Sequence, residues 1–169
     1  AYVYFSMLLI LQGVGDGSQP LISRYYGAGE TEKCKSIVRY AFITAFCAFA
    51  VCFALLMAGR NALPVWFGAG EEAAAYAADA FPVFGAGVLF AAFNRVCTAY
   101  FYSVKSNVFA YVLVYGEVAA LVVLALLLPI GSGVAGLWWA NPVSQAVTAF
   151  AGAALLVVKR KKSSENFAD

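Results

Sequence analysis

Apolar and polar positions divide the chain into five long apolar segments, at about 1–23, 36–58, 73–103, 108–129 and 134–158. A helix rising 1.5 Å per residue needs about 20 mostly apolar residues to cross the hydrocarbon of a bilayer. Each segment meets that length. No alternating runs of roughly ten residues appear, which disfavours a β-barrel. The pattern therefore predicts an all-α polytopic membrane protein with five transmembrane helices. Gly27-Ala28-Gly29 stops the first helix, Pro64 and Gly68 to Gly70 break the loop after the second, and Pro129 with Gly131 ends the fourth. Glu71-Glu72 suits the N-terminus of the third. That third segment is the longest and most interrupted. Its first two turns, Ala73 to Ala80, are expected to lie along the interface before Pro82 redirects the chain.

Composition supports lipid as the solvent. The chain has 169 residues, 63% hydrophobic and only 12% charged, with a mean hydropathy of +0.80. Soluble domains carry about 45–50% apolar and about 25% charged residues, and so short a chain cannot hide this much apolar surface in one core. The net charge of +2 gives no basic field for nucleic acid. Absence of His removes His metal sites, Ser-His-Asp triads and His proton relays. Cys34, Cys47, Cys52 and Cys97 form no C-x-x-C pair and read as free, inert thiols. Ala1 begins inside an apolar segment, with no initiator Met, charged n-region or A-x-A site, so the segment does not read as a signal peptide. The chain reads as a piece of a longer protein. No catalytic arrangement, metal-ligand spacing or phosphate loop emerges, and the reading is of a protein that is not an enzyme and uses no cofactor.

Charge placement gives direction. Arg24, Lys33, Lys35 and Arg39 lie on the first connection, Lys105 on the third, and Lys159, Arg160, Lys161 and Lys162 at the C-terminus. These lie on alternate connections and share one side, whereas the other side has Arg60. Positive charge concentrates in cytoplasmic loops, so the C-terminus is expected in the cytoplasm and the first helix to run inward. Trp138-Trp139 reads as part of an interfacial belt.

Polar residues at depth are costly in lipid and face a cavity or a partner. Asp16 lies eight residues before Arg24, about 12 Å along a helix, amid Gly13, Gly15, Gly17 and Pro20. It reads either as a cavity-lining carboxylate or as a helix-packing hydrogen-bond group. Arg95 precedes Ser106, the expected turn centre, by eleven residues, and Glu117 follows it by eleven. The two therefore reach similar depth in an antiparallel hairpin and are expected to pair or to face one polar cavity, as a transport element or as a structural ion pair. Asn94 and Thr98 share a face of the third helix and read as a polar stripe or as interhelical hydrogen-bond groups. Asp79, nearer the outer end of the third helix beside Pro82, reads as a wetted interfacial carboxylate or as a group at the mouth of a cavity.

The stretch from Gly13 to Gly29, GVGDGSQPLISRYYGAG, resembles the G-x-G-D/Q-G-x-Q-P-x-x-S-x-x-Y-G-A stretch in the eighth of the twelve helices of multidrug and toxic compound extrusion (MATE) transporters. Phe93-Asn94 through Ala99 to Ser103 is similar to the family's tenth helix. Gly133 to Pro142, GVAGLWWANP, is similar to its entry into the last helix. The resemblance implies helices eight to twelve of a two-lobed transporter: 1–162 as part of the C-terminal lobe and 163–169 as a cytoplasmic tail. It implies proton- or sodium-coupled antiport of small amphipathic, often cationic organic compounds by alternating access, in a bacterial inner membrane. The implied partners are the bilayer, the substrates and the missing N-terminal lobe. By the same resemblance Asp16 and Gln19 lie on the cavity-side helix, and Asn94 lies on a helix that contributes to a cation site in some subfamilies. An Arg common early in the eleventh helix is replaced around Gly116-Glu117, and the acid often found after the last-helix Pro appears as Gln145. The rival readings are a lipid-linked oligosaccharide flippase, which needs cationic cavity residues where Arg95 is the only deep cation, and a non-transporting membrane scaffold subunit. An intramembrane hydrolase is disfavoured by the missing His. Candidate substrate or ion residues are Asp16, Gln19, Asn94, Arg95, Thr98 and Glu117.

Overall fold

A computed structural model describes residues 2–165, with side chains except at 134, 160 and 162–165. Every regular element among the described residues is a helix: α1 (Tyr2–Gly27), α2 (Thr31–Gly59), the short α3 (Ala62–Trp66), α4 (Glu71–Ser103), α5 (Asn107–Ser132) and α6 (Val134–Glu165). The five long helices match the five apolar segments.

Four of them, α2, α4, α5 and α6 (over Ala135–Lys159), are long and apolar enough to cross a membrane. This corrects the expected five. The exception, α1, has 26 residues and is long enough, but Gln12, Asp16, Ser18, Gln19 and three glycines dilute its apolar content. Packing sets its place instead. Met7 and Leu11 join Ala41, Ala45, Val88 and Val96 in one buried cluster. Ile22 meets Cys34 and Val104 in another. Residues 7 to 22 of α1 thus track 88 to 104 of α4 in parallel, while α2 runs antiparallel beside both.

Helix α4 is the hub. It touches every other long helix, and Val88, Ala91, Ala92, Val96, Cys97 and Phe101 are wholly buried. Small residues allow the close approach, and α4 continues unbroken through Pro82, so no separate interfacial segment forms at 73–80. Glu71 and Glu72 occupy its first turn, where acidic groups meet the positive end of the helix dipole. Between α2 and α4, Pro64 lies inside α3 rather than breaking a loop. The α5–α6 connection contracts to Gly133. Beyond it, a Cβ at Gly136 would come within 2.6 Å of the Leu128 backbone, so the α5–α6 crossing requires glycine there. At the opposite end, Lys105 adopts a left-handed φ of 57° in the α4–α5 turn. The expected tail at 163–169 begins inside α6, which continues to Glu165; residues 166–169 lie outside the described residues.

The two ends of the bundle differ chemically. Where α1, α4 and α6 begin, Tyr2, Trp66, Phe67, Tyr76 and Trp139 are exposed, Tyr2 stacks on Phe67 and Tyr76 meets Trp138 edge-on. This aromatic end extends the belt expected at Trp138-Trp139. The basic end gathers Arg24, Lys33, Lys35, Arg39 and Lys105. Apolar side chains such as Leu55, Val112, Leu126 and Phe150 are exposed along the sides, as suits a multi-pass membrane protein.

Candidate functional site

The α4–α5 turn at 104–106 folds the two helices back on each other and brings Arg95 opposite Glu117. Arg95 Nη2 donates to Glu117 Oε1 at 2.9 Å. The side chains retain only 22% and 17% of their exposure. The same carboxylate oxygen accepts a second hydrogen bond, from Gln145 Nε2 of α6, at 2.7 Å. Gln145 is in turn held by Asn94, whose Nδ2 donates to Gln145 Oε1 at 2.9 Å and to its backbone oxygen at 3.0 Å. Arg95, Glu117, Gln145 and Asn94 therefore form one polar chain across α4, α5 and α6.

Local sequence positions each member. Asn94 and Arg95 are adjacent on α4 and point about 100° apart, so Asn94 faces α6 while Arg95 reaches α5. Gly87, about two turns before them, lies against Pro142 Cα, which keeps α6 close enough for Gln145 to reach both neighbours. Asn94 is almost wholly buried, and its Oδ1 has no hydrogen-bond partner among the described residues. An orphaned acceptor in such a place costs about 1–3 kcal/mol and offers a lone pair to a donor or a cation. The charged pair behaves differently: each ion is costly in a low dielectric, and their attraction with the added amide bond offsets that cost. Nearer the aromatic end, Tyr4 Oη donates to Asn141 Oδ1 at 2.7 Å, tying α1 to α6.

Asp16 and Gln19 are not part of this chain. A Cβ at Gly15 would lie 3.1 Å from the Arg95 carbonyl oxygen, so α1 crosses α4 at the level of the network. Asp16, the next residue, turns outward and is exposed. Its Oδ1 accepts from Gln12 Nε2 at 2.8 Å and from Gln19 Nε2 at 3.3 Å. The three form an uncovered polar stripe on α1. The backbone oxygen of Gln19 accepts from Ser103 Oγ at 3.3 Å. Thr98 is half-buried and joins none of these hydrogen bonds. Asp79 is exposed near the aromatic end.

Gln145, which in sequence stands only as a departure from a family acid, joins the site through α6. The signal it carries is the run Asn141, Ser144, Gln145 and Thr148, polar positions spaced three to four apart on one face of an otherwise apolar helix. Tyr4 carries no distinguishing sequence signal, and only packing brings it to Asn141. The cysteines are free, with Cys34 and Cys97 buried, Cys52 half-buried and Cys47 exposed. No group of three or more His, Cys, Asp or Glu suited to a metal occurs among the described residues.

The family model described as MatE matches residues 2–127, from the start of α1 to near the end of α5. No curated protein and no solved structure matches the chain.

Proposed function

This chain belongs to the MatE family of membrane transporters, and from that premise we propose that it is part of a secondary active efflux transporter. In this reading residues 1–162 supply five helices of a C-terminal lobe, residues 163–169 form a cytoplasmic tail, and a second lobe completes the protein in a bacterial inner membrane. The proposed activity is antiport, in which amphipathic, often cationic organic compounds leave as protons or sodium ions enter, with the two lobes alternating access. The only cofactor in this proposal is the coupling ion.

The observation that carries the reading is the Arg95–Glu117–Gln145–Asn94 chain. Ionisable residues within membrane-spanning helices mark ion or proton pathways, and this chain links three helices that would have to move together or apart. Glu117 is the proposed coupling group. One of its oxygens is held by two donors, and Asn94 Oδ1 is an unused acceptor in the same chain. Asp16, held by Gln12 and Gln19 on an uncovered face, is the proposed cavity carboxylate for a cationic substrate.

The test is efflux of a fluorescent organic cation by the complete protein in proteoliposomes with an imposed proton or sodium gradient. Glu117→Gln is expected to uncouple flux from the gradient, and Asp16→Asn to reduce flux at equal protein content. Wild-type coupled flux in both variants would remove these residues from the mechanism. Absence of gradient-driven flux in the wild-type protein would favour a non-transporting scaffold.

A further inference from the structure

Away from the polar chain, α1 and α2 border an open, shallow groove of about 330 Å³ on the side of the bundle, lined by Leu21, Ile37, Tyr40 and Ala41 and by Gly13 and Gly17. A Cβ at either glycine would meet nothing within 4 Å. Packing within the chain therefore does not require glycine at these two positions, unlike Gly15. What their missing side chains do is leave the groove open. From Leu21 to Gly13 it runs about 12 Å along α1, away from the basic end.

A second depression of about 220 Å³ lies beside it at nearly the same level of α2, lined by Ser36, Arg39, Tyr40 and Ile43. Tyr40 borders both. The charges around it are sorted: Glu30 pairs with Lys33 and Glu32 with Lys35, which leaves Arg39 without a carboxylate partner among the described residues. Ser36 Oγ already donates to the Glu32 backbone oxygen, whereas the Tyr40 hydroxyl is exposed and has no partner among the described residues. Arg39 is also the last charge on α2 before the uncharged run from Tyr40 to Gly59. That change from charged to uncharged sequence puts Arg39 at headgroup depth in a bilayer spanned by α2, where a guanidinium meets lipid phosphates.

We propose that this face binds one anionic glycerophospholipid. The Arg39 guanidinium and the Tyr40 hydroxyl donate to its phosphodiester, and one acyl chain lies in the groove over Gly17 and Gly13. The site offers side by side what such a lipid has: a cationic, hydrogen-bonding edge at Arg39 and Tyr40, and an apolar channel that runs from Leu21 into the bilayer towards Gly13. Because the neighbouring acids are already paired, a zwitterionic lipid gains no partner for its own cation, and the net anionic headgroup is preferred. A protein helix in the same groove would use the apolar channel but would leave the bare guanidinium unmatched.

The proposal is tested by native mass spectrometry of the protein released from nanodiscs containing equal phosphatidylglycerol and phosphatidylcholine. The wild-type protein should retain one phosphatidylglycerol in preference to phosphatidylcholine. Arg39→Gln should lower that preference about fivefold, the worth of one basic side chain at an anionic surface, while Arg39→Lys keeps most of it. Gly17→Leu should displace both lipids with unchanged helical content, since the added side chain enters open space. Unaltered phosphatidylglycerol retention in Arg39→Gln would overturn the proposal. So would disulfide capture of a second copy through Gly17→Cys, which would make the groove a protein interface.

Discussion

Glu117 Oε1 accepts from Gln145 Nε2 at 2.7 Å and from Arg95 Nη2 at 2.9 Å. One carboxylate oxygen thus joins a charged partner on α4 to a neutral one on α6, and the ion pair and the α5–α6 contact cannot be altered independently.

Neutralising one member of the pair strands the other. Glu117→Gln is expected to destabilise the protein in detergent by about 3–5 kcal/mol, because the Arg95 charge then remains buried without a counterion. The double variant Arg95→Gln, Glu117→Gln should recover much of that loss. Thermal unfolding of the two singles and the double forms a cycle, and additive losses would show that the pair is not coupled.

Gln145→Leu keeps the volume but removes both amide bonds. It leaves Asn94 with the Gln145 backbone oxygen alone and Glu117 with Arg95 alone. A loss of about 1–3 kcal/mol is expected, measured by the same unfolding assay. A variant as stable as wild type would mean that the amide contributes nothing to holding α4, α5 and α6 together.

Two glycines make opposite predictions. Gly136→Ala places a Cβ within 2.6 Å of the Leu128 backbone and should cost about 1–3 kcal/mol through forced separation of α5 and α6. Gly17→Ala meets nothing within 4 Å and should be neutral or slightly stabilising, since alanine favours the helix by about 1 kcal/mol. Equal effects on melting temperature would contradict the packing at the α5–α6 crossing.

The parallel register of α1 with α4 predicts that α1 crosses the bilayer although it is not among the four helices apolar enough to do so by composition. In a cysteine-free background, single cysteines at Tyr2 and Gly68 should react with a membrane-impermeant maleimide from one side, and those at Lys33 and Ser106 from the other. Labelling of Tyr2→Cys and Lys33→Cys from the same side would show that α1 does not cross.

Much of this was legible from residue order. Five helices, their alternating direction and the equal depth of Arg95 and Glu117 follow from run length, from charges on alternate connections and from equal spacing about Ser106. These are one-dimensional properties, set by the rise per residue and by the cost of charge in hydrocarbon. Which way a side chain faces was decided only by tertiary packing. Helices such as α5, apolar on nearly all sides, carry little pattern to tell an inner face from an outer one. Nothing in the sequence around Gln145 says that it meets Glu117 and Asn94, and nothing around Asp16 says that it turns outward while Gly15 beside it touches Arg95. Those outcomes depend on how closely Gly15, Gly87 and Gly136 let neighbouring helices approach, and a contact distance exists only once two helices are packed together.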